Sequence, residues 1–145
     1  MMDMVNYLSI KDVEFMAHGL AVELMGRNEP IPPFETRYPA KLESCLETPG
    51  QTFGGKDLYP TLVNKAAALF YLMIKNHPFQ NGNKRVAVTT MLVFLYRNEK
   101  WLKVADQSLY LFAVWVAQSP PELKDAVLQG INDFIGKNLV ARTQT

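Results

Sequence analysis

His77, Asn81, Gly82, Asn83, Lys84 and Arg85 lie within the nine-residue string His77-Pro78-Phe79-Gln80-Asn81-Gly82-Asn83-Lys84-Arg85. An imidazole can take or give a proton near neutral pH. A guanidinium binds phosphate in bidentate fashion, and a lysine adds a second cation. Gly82 allows positive φ or close approach of the backbone to a ligand. Pro78 disfavours helical geometry at His77, so a preceding helix stops near Asn76 or His77. The apolar pattern resumes from about Asn83, which sets Asn83 to Arg85 at a new helix N-terminus. Backbone N–H groups and the positive dipole end collect there. Two cations at that end are disfavoured unless an anion shares the site. The chemistry implied is phosphate binding beside a proton acceptor. Singly, each of these residues is ordinary in a solvated turn; together they are not.

The elements on either side must hold this loop rigid. Pro60 to Asn76 reads as a helix, with Pro60 in its first turn and Leu62, Ala66, Leu69 and Met73 on one stripe. Arg85 to about Asn98 is apolar nearly all round, from Val86 and Val88 to Met91, Leu92, Val93, Phe94 and Leu95. Such a cylinder belongs at the centre of a bundle. Phe79 anchors the loop between them by burying its ring.

Other helices follow from the same periodicity. Ser9 and Asp12 form a capping pair ahead of Ile10, Val13, Ala17, Leu20 and Leu24, with Gly26 as the stop. His18, inside that helix, is read as a histidine without a role. Asn28 to Pro39, with four prolines, is an ordered loop. Pro39 to about Leu46 is a short helix with Ala40, Leu42 and Leu46 inward; Cys45 is a packing residue, not a nucleophile. Phe53-Gly54-Gly55 marks a hairpin or extended flap. Trp101 to Val104 is extended. Asp106 to Ala117 is a helix with Leu109, Phe112, Ala113 and Val116 inward. Ser119 caps a last helix that opens with Pro120-Pro121 and carries Leu123, Val127, Ile131, Phe134 and Ile135 inward, ending at Gly136 or Asn138. Met1 to Leu8 reads as a loose or short extended start, and Val140 to Thr145 should fray. The fold class expected is all-α: a bundle of about six helices with a small hairpin before the central helix pair.

Composition bounds the function. The 145 residues suit one domain, 1–145, with a real core. Apolar residues make up 48% and charged residues 20%, values of a globular chain. A net charge of +1 gives no footprint for nucleic acid or an anionic membrane. No apolar run reaches the ~20 residues of a membrane span. The N-terminus lacks a signal-peptide core. One cysteine rules out an internal disulfide framework. A cytoplasmic location is therefore expected.

The string closely resembles the signature of the Fic/Doc (Fido) family, His-x-Phe-x-Asp/Glu-Gly/Ala-Asn-Gly/Lys-Arg, at eight of nine positions. Asn81 departs, standing where the family has a carboxylate. Lys84 is similar to the death-on-curing (Doc) branch. So are Leu42 to Leu46, Phe53 to Pro60, Lys65 to Ala68, and Phe94-Leu95. The resemblance runs from about Ser9 to about Leu139.

It implies transfer of a phosphate-containing group from ATP or another nucleoside triphosphate to a protein hydroxyl. His77 would be the base; Gly82, Asn83, Lys84 and Arg85 would bind nucleotide phosphates, and Arg85 would also stabilise developing charge. Mg²⁺ would accompany the nucleotide, with Asn81 a weak ligand in place of the carboxylate. Phe53, Gly54 and Gly55 would form the flap that receives the target backbone by strand addition. A lysine at position 84 favours γ-phosphate transfer, a protein kinase, over AMP transfer of the Fic type. In the Doc type the target is the elongation factor that delivers aminoacyl-tRNA. No Glu in the chain is followed by Gly or Asn, as the family's inhibitory helix requires, so a separate small antitoxin is expected. The competing class is a weak or inactive binding module, because of Asn81.

Overall fold

A computed structural model describes residues 4–24 and 30–143. The expected stop at Gly26, the start of the proline loop at Asn28 and Glu29, and the extreme termini lie outside the described residues. Among the described residues six helices carry the fold, which is all-α apart from two short strand pairs.

Helix α1 covers residues 10–24 in three continuous pieces: Ile10–Asp12, a π-helical segment Val13–Ala17, and His18–Leu24. Its start is the expected capping box. Ser9 Oγ accepts from the Asp12 N–H, and Asp12 Oδ2 accepts from the Ser9 N–H at 2.8 Å. The wider π turn shifts the phase of the inward stripe. Val13, Ala17 and Ala21 are buried, whereas Leu20, expected inside, is 38% exposed.

Helix α2, Pro39–Glu47, buries Leu42, Cys45 and Leu46. Ala40, expected inward, is exposed, because it stands in the first turn on the far side from Leu42. Burial pushes the Cys45 thiol up to about 11, against weaker hydrogen bonds to Asn76 and its own backbone, so it is no thiolate nucleophile.

The central pair is α3, Leu62–Lys75, and α4, Asn83–Arg97. The first begins two residues later than Pro60 suggests. Thr61 is the N-cap: its side chain accepts from the Asn64 N–H at 3.0 Å, and Asn64 Oδ1 accepts from the Thr61 N–H. Helix α4 is buried at eleven of its fifteen positions, as its all-round apolar sequence requires. Helix α5, Asp106–Gln118, and helix α6, Lys124–Asn138, complete the bundle against this pair.

Ser119 closes α5 rather than opening α6; its hydroxyl donates to the Val116 carbonyl at 2.6 Å. The Pro120-Pro121 stretch leads into a 3₁₀ turn, Pro121–Leu123, and Leu123 is 53% exposed, not inward. The residues after α6 do not simply fray. Leu139–Ala141 (β4) pairs antiparallel with Lys100–Leu102 (β3), in the register Lys100 with Ala141 and Leu102 with Leu139. The opening segment is also held: Asn6 exchanges backbone hydrogen bonds with the Asn98 side chain at 2.8 and 3.0 Å, and Leu8 is buried. Strands β1, Thr52–Phe53, and β2, Lys56–Asp57, form the expected hairpin ahead of α3.

Candidate active site

The motif loop spans the gap between the C-terminus of α3 and the N-terminus of α4. Lys75 is the last residue of α3 and Asn76 its C-cap, whose N–H donates to the Leu72 carbonyl at 2.9 Å. His77 then adopts φ +49°, a left-handed conformation a non-glycine residue rarely takes. Backbone strain of this kind is held only where neighbours fix it. Here Pro78 is buried, and its carbonyl accepts from the Tyr38 N–H at 2.8 Å.

Phe79 is 1% exposed and pins the loop as expected. Its ring packs with those of His18 and Phe34, at centroid distances of 5.7 and 6.0 Å, and these two lie 5.5 Å apart edge-on. His18 therefore does have a structural task. A carbonyl only accepts, so Nε2 of His18 donates to Pro32 O at 2.9 Å, tying the proline loop to α1.

Asn83 is the buckle of the loop. Its Oδ1 accepts from the Phe79 N–H at 2.9 Å, and its Nδ2 donates to the Phe79 carbonyl, also at 2.9 Å. The same Nδ2 lies 3.5 Å from Nδ1 of His77. His77 is exposed at the rim, with its ring facing the amide that closes the turn. Since the Asn83 side chain is engaged with Phe79, an anion would meet the backbone N–H at this position.

Gly82 is the residue before α4 and has φ +72°. A Cβ there would stand 2.8 Å from Cγ1 of Ile31, so glycine is required both by conformation and by the proline loop lying against it. Lys84 is half-buried. Arg85 is 3% exposed, deeper than a surface phosphate clamp. Two surface grooves lie away from this loop, one lined by Tyr7, Glu43, Leu46 and Gly50, the other by Trp101, Lys103, Val104 and Thr143.

Asn81 is exposed, and its Nδ2 donates to Pro30 O at 3.2 Å. Among the described residues no group of three His, Cys, Asp or Glu side chains is placed to hold a metal. Mg²⁺ prefers anionic oxygens, and a single amide oxygen does not make a protein-built site for it.

The hairpin carries Phe53, which is 80% exposed, on a two-residue turn of Gly54 (φ +59°) and Gly55 (φ +80°). Positive φ at both positions is the turn that matches strand twist. Its foot rests on a residue to which the sequence reading gave no role. Lys65 of α3 is 2% exposed, and its ammonium donates to the carbonyls of Pro49 and Tyr59 and to the Asp57 carboxylate. The one available signal was a lysine standing directly before Ala66-Ala67-Ala68 in an apolar helix.

A family model described as the Fic/DOC family matches residues 7–95. A protein described as Toxin Doc, from Mycolicibacterium smegmatis, is 40% identical over 57 residues, which cover 39% of this chain and 44% of that relative. The chain thus spans less than half the length of this curated relative. No solved structure gives a significant match.

Proposed function

Because the chain belongs to the Fic/DOC family, we propose that it is a Doc-like toxin that moves the γ-phosphate of a nucleoside triphosphate to a hydroxyl of a target protein. The observation that carries the reading is the loop itself. His77 stands 3.5 Å from the amide that locks the start of α4, and Lys84 and Arg85 follow in that helix's first turn. His77 takes the proton of the attacking hydroxyl. The oxygen then bonds to the γ-phosphorus as the bond to the leaving diphosphate breaks. The helix N-terminus, Lys84 and Arg85 offset the negative charge that spreads over the transferring group. Asn81 would be the loop's weak ligand for a Mg²⁺ bound with the nucleotide, the phosphates supplying the anionic oxygens. The hairpin of Phe53, Gly54 and Gly55 aligns the target backbone by strand addition.

The Doc type points to the elongation factor that delivers aminoacyl-tRNA as target, and to a small antitoxin as partner. No described helix is long and apolar enough to cross a membrane.

The test is incubation with ATP labelled at the γ- or the α-position, together with a cell extract. Label from the γ-position alone, lost at least a hundredfold in His77→Ala, is the expected result. Label from the α-position would identify AMP transfer of the Fic type. Absence of label from either, with growth arrest untouched by His77→Ala, would leave a binding module. The buried Arg85 and the neutral Asn81 are the observations that favour that second reading.

A further inference from the structure

We propose that Lys65 is a positioning residue for the protein target: it clamps both feet of the Thr52–Asp57 hairpin and so fixes where the flap stands. The inference rests on the reading above, in which that hairpin receives the target backbone.

The hairpin has little to hold it by itself. Each strand is two residues long, all four strand residues are exposed, and two glycines form the tip. The ladder pairs Thr52 with Asp57 and Phe53 with Lys56, and the Leu58 N–H donates to Gln51 O at 3.0 Å. An isolated two-stranded hairpin is marginal in water.

Its orientation must come from outside, and Lys65 supplies that from beneath. An ammonium has three donors, and here each has an acceptor. Pro49 O, at 3.3 Å, lies in the turn before β1; Asp57 Oδ2, at 3.2 Å, ends β2; Tyr59 O lies just beyond. The clamp therefore spans the chain entering the hairpin and the chain leaving it. Tyr7 covers the same ammonium with its ring, 5.8 Å from Nζ to the centroid.

Lys65 also sits on α3, the helix that ends immediately before His77. Flap and base are registered to one rigid element. The three extended residues from Gln51 to Phe53 span up to about 10 Å, so a tilt of about 10° at the foot moves the tip by about 2 Å. A displacement of that size misplaces a target hydroxyl relative to a base.

The experiment compares wild type, Lys65→Met and Asp57→Asn. Lys65→Met keeps the buried stem and deletes all three donors; Asp57→Asn removes only the ion pair and leaves the carbonyl contacts. Measured are KM and kcat for the labelled target, the affinity for ATP alone, and amide exchange at Phe53, Lys56 and Leu58. Expected for Lys65→Met is a KM for the target at least tenfold higher, with ATP affinity within twofold and hairpin amides exchanging at least tenfold faster. Asp57→Asn, which retains the fold should Lys65→Met not, shifts the target KM about threefold in the same direction. Unchanged target KM in both variants, or a KM change matched by an equal loss of ATP affinity, overturns the proposal. A wild type that transfers no label overturns the flap reading itself; the exchange rates then still decide whether Lys65 holds the hairpin.

Discussion

An amide and a carboxylate of nearly equal size do opposite things at position 81. The amide has donors, and one of them reaches Pro30 O at 3.2 Å. A carboxylate has none and would face that carbonyl with like partial charge. The carboxylate, in turn, offers Mg²⁺ the anionic oxygen it prefers. Asn81 thus ties the proline loop to the motif loop. Asn81→Asp should bind Mg²⁺-nucleotide more tightly and lose about 0.5–1.5 kcal/mol of stability with the hydrogen bond. Calorimetric titration with Mg²⁺-ATP and urea denaturation read the two effects. Equal nucleotide affinity in both proteins would show that this position is no metal ligand. The neighbouring residues were legible because they are consecutive. The turn at Gly82, the buried ring of Phe79 and the helix start at Asn83 all follow from local chemistry. Lys65, His18 and Ile31 were not, because their partners stand outside the local run: up to 16 residues away among the hydrogen bonds of Lys65, 14 for His18 in the proline loop, and about fifty for Ile31 against Gly82. A local pattern does not say which distant carbonyl or glycine a side chain will meet.

At the scale of elements, the first cap and the central stripes were readable, whereas the role of Ser119 and the helical phase were not. The Ser9–Asp12 box and the ends of α3 at Asn76 stand where local chemistry puts them. Leu20 was misplaced because the π segment Val13–Ala17 inserts extra turn width, which no residue in it announces. The Thr89 hydroxyl donates to the Ala17 carbonyl at 2.7 Å, so α4 ties down the end of that segment. Leu139–Ala141 was missed because its pairing strand lies nearly forty residues upstream. The first cap makes a pH prediction. Burial draws the Asp12 carboxyl up, but the hydrogen bonds from Ser9 and the Arg97 guanidinium outweigh it and hold it below the ordinary carboxylate value. The Arg97 contact is 2.7 Å. A depressed folded-state value means the charge stabilises above the unfolded pKa, and that this stability is lost as pH falls through the folded one. Asp12→Asn keeps an acceptor for Ser9 but not the charge. It should be about 0.5–1 kcal/mol less stable than wild type near pH 7. The gap should close below the ordinary carboxylate range. Urea melts across pH would show it, and a gap independent of pH would remove the charge as the cause.

For the whole molecule the decisive feature is that the motif loop stands on the ends of two helices whose bodies are the core. Helices α3 and α4 are buried along most of their length, and Lys75 at the end of α3 donates to the carbonyls of Val116, Ala117 and Ser119 at the end of α5. Side chains packed at crystal-like density transmit position, not softness. Phe94 lies eleven residues along α4 from Asn83 and is 1% exposed. At 1.5 Å per residue it is about 16 Å from the motif loop. Phe94→Ala should cost about 3–5 kcal/mol through lost burial and the cavity left behind. Yet the surviving helix ends should hold His77 and Asn83 in place, so the folded fraction should bind ATP within twofold of wild type. Urea denaturation gives the first quantity, and equilibrium titration well below the unfolding midpoint gives the second. An affinity that falls with the stability would mean that the loop is shaped by the whole core, rather than by the contacts of Asn83, Phe79, Tyr38 and Ile31 around it.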